Sequence, residues 1–342
     1  MSKQYNVAVV GATGAVGKTM LEILEQRAFP IDQIFPLASH RSAGDTIDFN
    51  KKTVRIGDLT EFDFAQADIA LFSAGGDISA QYAPQAADAG CVVIDNTSYF
   101  RNEEDVPLVV PEVNPQAIEQ YRHTGIIANP NCSTIQMLVA LAPIHRQVGI
   151  ERINVATYQS VSGAGNKGID ELSEQTRSLL NFKPLKTQAF SQQIAFNVIP
   201  HIDQFQSNDY TREEMKMVWE TQKILDDRSI LVNPTCVRVP VFYGHAEAVH
   251  LETREKITAA EAKSLLQAAD GVELMDDPSQ LLYPSPAVHS AGNDPVYVGR
   301  IREDISYEKG LNLWIVSDNI RKGAALNSVQ IAEKLIKILD KE

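Results

Sequence analysis

The stretch VVGATGAVGKTM, Val9 to Met20, decides how the first half of the chain folds, and it fits two different phosphate-binding turns. In one reading Gly11, Gly14 and Gly17 form a glycine-rich turn between a strand, Tyr5 to Val10, and a helix running to about Glu25. A pyrophosphate would then sit on the helix N-terminus, where free backbone amides and the helix dipole favour an anion. In the other reading Gly17-Lys18-Thr19 closes a Walker A loop, with the lysine on the β/γ-phosphates and the threonine on magnesium. A strand from Cys91 to Ile94, ending in Asp95, would supply the Walker B carboxylate. The second reading needs a glycine at position 12, which is Ala12, and leaves the three observed glycines unexplained. The window favours a dinucleotide, although its spacing is G-x-x-G-x-x-G rather than G-x-G-x-x-G.

The 342 residues suffice for about two domains of roughly 150 residues each. A hydrophobic content of 44% can fill real cores, and a net charge of −13 argues against a broad nucleic-acid or anionic-membrane surface, which needs clustered lysine and arginine. Anionic ligands must therefore be met by local cations and backbone amides. No window approaches the ~18 apolar residues of a membrane span, and the N-terminus lacks an apolar run of signal-peptide length, so a cytoplasmic protein is expected. Cys91, Cys132 and Cys236 cannot all pair and are not spaced as metal ligands, so each is either packing or chemistry.

Outward from the opening turn, strand and helix alternate: Gln33–Ala38, Asp68–Ser73, a helix near Gln81–Ala89, Cys91–Ile94 and Gly125–Ala128. Such alternation implies a parallel sheet with helices on both faces. After Asn129-Pro130-Asn131 a helix from Ser133 to about Gln147 leads to a strand, Arg152–Ser160, and then to a helix from Ile169 to about Leu179. Partly alternating strands such as Thr235–Pro240, Ala246–Glu252 and Asn312–Val316 follow, which suits a mixed or antiparallel sheet. The segment Lys322 to Leu339 has helical apolar spacing.

Four stretches can carry chemistry. In Asn129-Pro130-Asn131-Cys132-Ser133-Thr134 the cysteine stands at a helix N-terminus, where dipole and amides favour thiolate and could hold an oxyanion; a buried cysteine starting a helix is the blander alternative. In Gln159-Ser160-Val161-Ser162-Gly163-Ala164-Gly165 the glycines permit close backbone approach to a flat ligand, and the glutamine amide can orient a carbonyl. The run from Arg238 to His250 joins an arginine suited to a carboxylate with two histidines, His245 and His250, between which spacing does not choose. Arg238 and His245 lie seven apart, so they converge only if Pro240 or Gly244 bends the chain. The H-x-E at His245 matches the start of a zinc-deaminase signature, but no P-C-x-x-C follows, so no metal is expected. Ser39-His40-Arg41-Ser42 follows the second strand, where NAD-specific folds place an acidic residue; Arg41 with Ser39 and Ser42 suits a 2′-phosphate instead, while Asp32 sits at the wrong end of that strand.

Taken together, GATGAVG at Gly11, NPNCSTIQM around Cys132, YQSVSGAGNKGIDEL around Gln159, REEMK around Glu213, RVPVFYGHAEAV around Arg238 and the late SDNIRKGAA resemble the aspartate-semialdehyde dehydrogenases over nearly the whole chain. The resemblance implies a Rossmann-type dinucleotide-binding domain, residues 1–128 with 320–342, and an α+β catalytic and dimerisation domain with a mixed sheet, residues 129–319. It implies NADPH-dependent reductive dephosphorylation of L-4-aspartyl phosphate to L-aspartate 4-semialdehyde, a step towards lysine through diaminopimelate, threonine and methionine. Carried onto this sequence, Cys132 is the nucleophile, Gln159 orients the acyl intermediate and His245, rather than His250, is the general acid and base. Arg238 holds the substrate carboxylate and Glu213 its amine, with the adjacent Glu214 an open alternative. Arg101, Asn131 and Lys216 take phosphate. NADP contacts fall to Gly11, Thr13, Gly14, Ala15, Val16, Gly17, Ser39, Arg41, Ser42, Ser73, Ser162, Gly163 and Asn319. The expected partners are the small-molecule substrate, inorganic phosphate and a second copy in a homodimer. N-acetyl-glutamyl-phosphate reductase performs the same acyl phosphate chemistry, and Glu213 and Arg238 are what argue against it. A P-loop kinase or ATPase and a non-catalytic nucleotide-binding interaction protein are the rivals from other classes.

Overall fold

The computed structural model describes residues 3–341, and the chain divides into two compact units, Met1–Pro130 with Ala324–Glu342, and Asn131–Gly323. The first unit contains β1 (Tyr5–Val10), α1 (Ala15–Gln26), β2 (Ile31–Ala38), β3 (Thr46–Phe49), β4 (Lys52–Arg55), β5 (Gly57–Asp58), β6 (Ile69–Phe72), α2 (Gly76–Asp88), β7 (Val92–Asp95) and β8 (Ile126–Ala128). Six of the strands form one sheet in the order β5-β2-β1-β6-β7-β8, parallel throughout. Its central strands are nearly continuous apolar runs because helices cover both faces. Val7, Val9, Ile69, Leu71 and Ile94 meet Met20, Ile23 and Leu24 of α1 in one core.

The glycine turn follows from close packing. Gly11 has φ +88°, and a Cβ there would come within 2.7 Å of the Ser73 carbonyl oxygen. A Cβ on Gly17 would run into the Gly11 carbonyl, so α1 can start against β1 only if both are glycine. Gly14 is the N-cap and offers no side-chain cap, which leaves the first-turn amides to a ligand or water. The Walker A alternative fails here. Lys18 is exposed, Thr19 Oγ1 donates to the Ala15 carbonyl at 3.0 Å, and Asp95 is buried, accepting from Ser79 Oγ at 2.8 Å and from both Thr97 N and Thr97 Oγ1.

Two elements depart from expectation. The helix expected near Gln81–Ala89 begins at Gly76, because Gly75 at φ +99° caps a start that two glycines hide from a propensity reading. The closing helix is broken: Arg321–Ala325 form a π-helical turn before the α-helix begins.

The second unit holds α3 (Cys132–Val148), β9 (Ile150–Gln159), α4 (Asn166–Leu180), α5 (Arg212–Ile224), β10 (Leu231–Arg238), β11 (His245–Thr253), α6 (Ala259–Gln267), β12 (Val272–Leu274), β13 (Val296–Glu303) and β14 (Gly310–Ser317). Its sheet runs β10-β9-β11-β14-β13-β12 and is mixed: β10–β9 and β13–β12 are parallel, the other pairs antiparallel. Helix α3 packs on β9, β11, β13 and β14, and α5 packs on β10. The chain then ends in α7 (Leu326–Leu339), which returns to the first unit: Val329, Ala332 and Leu335 join its core, and Tyr5 OH donates to Asp340 at 2.6 Å.

Candidate active site

Cys132 is the first residue of α3, and Asn131 is the N-cap. Asn131 Oδ1 accepts from the amides of Ser133 at 2.9 Å and Thr134 at 3.3 Å. This corrects one expectation: those two amides are occupied by the cap, so they are not the ones that would hold an oxyanion. Asn131 is pinned further by its own N–H, which donates to Glu220 Oε2 at 2.6 Å. Gly323 lies against the cysteine, since a Cβ there would come within 2.7 Å of Cys132 Cβ. Of the three cysteines only Cys132 is partly exposed; burial pushes the Cys91 thiol up to about 12 and the Cys236 thiol well above its ordinary value.

The sheet places the other candidates in a row. Arg238 pairs in register with Gln159, and His245 pairs with Ser317 on the far side of β11. Arg238 and His245 do converge, and the bend is supplied by the 239–244 loop, where Gly244 has φ +86° and a Cβ would press on Ser290 Oγ at 2.5 Å. They end up on either side of β9 rather than on one strand. Gly163 sits against both: a Cβ there would come within 2.8 Å of Arg238 Nη1 and 3.3 Å of His245 Nε2. This glycine therefore makes room for the protein's own side chains, in addition to anything a flat ligand requires.

Glu213 is the hub of the row. Its Oε1 accepts from Asn131 Nδ2 at 2.9 Å and Gln159 Nε2 at 3.1 Å, and its Oε2 from Lys216 Nζ at 2.9 Å. Burial alone would raise its pKa, but the Lys216 ammonium and these hydrogen bonds win and hold the carboxyl down at about 2. The neighbouring Glu214 is committed elsewhere: Oε2 closes the capping box on Thr211 N at 2.7 Å and Oε1 accepts from Cys236 N at 3.0 Å. Lys216 is also bound to Asp203 at 2.8 Å, which leaves one of its three ammonium protons for a further acceptor.

Gln159 is held in one orientation, its Oε1 accepting from Thr157 Oγ1 at 3.0 Å while Nε2 serves Glu213. The same Nε2 lies 3.4 Å from His245 Nε2. At the other ring nitrogen, Nδ1 meets both the amide N–H and the Oγ of Ser160 at 3.1 Å. A donor and an acceptor thus stand at Nδ1, so either neutral tautomer is supported and Nε2 can present a lone pair or an N–H. Burial, and then the Arg238 guanidinium, push His245 down to about 3, so the resting ring is neutral. Arg238 is buried, donating Nη1 to the Ser160 carbonyl at 2.7 Å, and Cys132 acts on it electrostatically. His250, the other histidine, bonds Asp304 at 2.6 Å on the opposite face of the sheet.

Ser162 and Asn319 are tied to this cluster from behind: Asn319 Oδ1 accepts from Ser160 Oγ at 3.0 Å, Ser162 Oγ at 3.1 Å and Gly244 N at 3.0 Å. Ser160, Thr157, Asp203 and Glu220 were missed by the sequence reading. Ser160 lies inside a motif it singled out, whereas nothing in the sequence marks Asp203.

The remaining candidates belong to the first unit. Arg101 is buried, its guanidinium donating to the Thr97 carbonyl at 3.0 Å and the Asn96 carbonyl at 3.1 Å. Thr13, Ala15 and Val16 lie in and just after the glycine turn, partly exposed, and the Ser73 carbonyl closes on Gly11. Ser39, Arg41 and Ser42 form the turn after β2, with Ser39 and Arg41 exposed, Ser42 N donating to the Ser39 carbonyl at 2.9 Å, and His40 paired with Asp58 at 2.7 Å. Among the described residues no group of three or more His, Cys, Asp or Glu side chains is placed to hold a metal ion, and no helix is long and apolar enough to cross a membrane.

Two family models match: the semialdehyde dehydrogenase NAD binding domain over residues 6–121 and the semialdehyde dehydrogenase dimerisation domain over residues 141–322. Aspartate-semialdehyde dehydrogenase 2 of Vibrio cholerae is 64% identical over 337 residues, 98% of this chain and 99% of the relative. The aspartate-semialdehyde dehydrogenase of Bacillus subtilis is 51% identical over 346 residues, 99% of each. The crystal structure of Vibrio cholerae aspartate semialdehyde dehydrogenase II complexed with ASA superposes with a TM-score of 0.97 at 64% identity, covering 98% of this chain and 99% of that one. The Candida albicans enzyme with NADP gives a TM-score of 0.76 at 26% identity, covering 97% of this chain and 98% of that one. Full-length identity at this level, on a fold carrying the same two domains, establishes that the chain belongs to the aspartate-semialdehyde dehydrogenase family.

Proposed function

We propose that this protein catalyses NADPH-dependent reductive dephosphorylation of L-4-aspartyl phosphate to L-aspartate 4-semialdehyde, through a thioester on Cys132. The observation that carries the reading is the row itself. Gln159 Nε2 and His245 Nε2 stand 3.4 Å apart, and Glu213 Oε1 ties Gln159 to Asn131, the N-cap directly before Cys132, so a polarising donor and a proton-transfer group are held beside the helix start that carries the thiol.

The Cys132 proton passes to His245 Nε2, whose neutral ring has a lone pair available when Nδ1 carries the proton towards Ser160 Oγ. The thiolate attacks the acyl phosphate carbonyl, the carbonyl π bond reforms, and phosphate leaves with the bonding pair. Gln159 Nε2 donates to the carbonyl oxygen, and its tie to Thr157 keeps that amide from rotating away. Bound NADPH supplies the hydride. The resulting hemithioacetal collapses as the carbon–sulfur bond breaks, with His245 exchanging the proton between oxygen and sulfur.

Arg238 fits the substrate carboxylate because a guanidinium can bond it bidentately. Glu213, rather than Glu214, fits the substrate amine, since only Glu213 is aimed into the row. In the second unit the third proton of Lys216 and the remaining Nδ2 proton of Asn131 fit phosphate; Arg101, in the first unit, is proposed for phosphate from the family resemblance alone. The uncapped first turn of α1 fits a pyrophosphate, supporting Gly11, Thr13, Gly14, Ala15, Val16 and Gly17 as the dinucleotide turn, with Ser39, Arg41 and Ser42 on the 2′-phosphate. Ser73, Ser162, Gly163 and Asn319 complete the proposed cofactor contacts. A homodimer through the second unit accords with its match to a dimerisation domain.

The test is phosphate-dependent NADP⁺ reduction with L-aspartate 4-semialdehyde and, separately, with N-acetyl-glutamate semialdehyde. Turnover with the first alone is expected. Turnover with the second alone would reassign the substrate.

A further inference from the structure

One row below Gln159 and His245, on the same face of the sheet, Cys236 pairs with Thr157, Thr157 with Glu247, and Glu247 with Ile315. On α3, Gln136 lies one turn after Cys132, so the two share a helix face. Since α3 packs on β9, β11 and β14, Cys132 and Gln136 are stacked along the helix as His245 and Glu247 are stacked along β11. Glu247 is fully buried and Gln136 nearly so. Among the described residues, neither oxygen of Glu247 and neither polar side-chain atom of Gln136 makes a hydrogen bond of good geometry, yet Gln136 stands near enough to Glu247 to favour its carboxylate by hydrogen bonding. Four buried polar atoms that face each other without a well-formed hydrogen bond call for an explanation.

The chemistry of the two groups supplies one. A carboxylic acid and a primary amide are complementary: the acid O–H donates to the amide oxygen, and the amide N–H donates to the acid carbonyl. All four atoms are then satisfied together. A carboxylate has no proton to offer Gln136 Oε1, and it would remain a buried charge. We propose that Glu247 and Gln136 form a buried acid–amide clamp that positions the first turn of α3, and with it Cys132, against His245 and Gln159. The surroundings agree. Burial pushes the Glu247 carboxyl well above its ordinary range and only Gln136 opposes this; from the same face of β10 the Cys236 thiol, itself raised by burial, stands in its row and the Arg238 guanidinium in the next. Thr157 is occupied with Gln159.

The clamp rests on the role given to Cys132 above, so its test includes readouts that need no substrate. The variants are E247Q, E247L and the double variant Q136L/E247L, measured by infrared spectroscopy, by the pH profile of Cys132 alkylation with iodoacetamide, and by kcat and KM. The wild type should show a buried carboxylic-acid carbonyl band that E247Q lacks. E247Q, which can pair amide to amide, should keep the wild-type alkylation profile. E247L should lower kcat by about tenfold or more, equivalent to about 1.4 kcal/mol, with KM for NADPH unchanged and Cys132 alkylation altered. The double variant orphans no polar atom and should recover stability but not kcat, which decides the matter even if E247L does not fold. Absence of the acid band, or wild-type kcat and alkylation in the double variant, would overturn the clamp while leaving the reaction itself untouched.

Discussion

Replacing Glu213 with glutamine changes its charge and hardly its volume, so it isolates the electrostatic part of the hub. Glu213 serves three donors: Asn131 and Gln159 on one oxygen, Lys216 on the other. An amide has one oxygen. Whichever way it turns, its NH₂ faces either the Lys216 ammonium or the two amide donors, and at least one donor loses its acceptor. Hydrogen bonds to charged groups contribute about 1.5–3 kcal/mol each, so a destabilisation of roughly 3 kcal/mol is expected. The electrostatics of the buried carboxyl point to the same size: its depression from 4.5 to about 2 corresponds to roughly 3 kcal/mol in favour of the folded state. The sign follows from the direction. A carboxyl whose pKa is lower in the folded state stabilises the fold fully above its unfolded value, and this is lost as pH falls from 4.5 towards about 2. Urea unfolding of wild type and E213Q should therefore differ by roughly 3 kcal/mol at neutral pH, with the gap narrowing below 4.5. Because Gln159 loses its anchor, kcat/KM should fall about a hundredfold, or about 2.7 kcal/mol. Equal stability at neutral pH, or a gap that does not change with acid, would refute the assignment of Glu213 as the charged centre of the row.

The opening turn separates two neighbours: Gly17→Val should destroy NADPH binding because its side chain meets the Gly11 carbonyl, whereas Lys18→Ala should keep affinity within about tenfold, roughly 1.4 kcal/mol, by fluorescence titration. Arg238→Lys should cost semialdehyde use about 1.5–3 kcal/mol in kcat/KM, since an ammonium reproduces neither the bond to the Ser160 carbonyl nor a bidentate fork; a change confined to the phosphate KM would count against it. Arg41→Ala should narrow the preference for NADPH over NADH mainly by weakening NADPH, and equal use of both cofactors by the wild type would show that this turn does not read the 2′-phosphate.

The alternating β and α elements of the first unit were legible because each carries its own signal: apolar runs for strands and glycines at the turn. The β3–β4 hairpin was not. Its two-residue turn, Asn50-Lys51, takes positive φ at both positions, and lysine gives no hint of that where glycine would. The cysteine's position at the start of α3 was legible from Asn-Pro-Asn, because an asparagine N-cap is a local event. The choice between Glu213 and Glu214 was not, since it depends on which carboxylate Thr211 and Cys236 draw away. The meeting of Arg238 and His245 was equally hidden, because it needs β9 to run between them, and that pairing is set by residues some eighty positions away.

The central claim is that acyl transfer passes through Cys132, and omission of phosphate tests it most directly. With L-aspartate 4-semialdehyde and NADP⁺ but no phosphate, the wild type should release a burst of NADPH equal to its active sites and then stop. Mass spectrometry should find the acyl group on the Cys132 peptide, and added phosphate should discharge it. Steady NADPH formation without phosphate, an adduct on another residue, or a burst retained in Cys132→Ala would contradict the account.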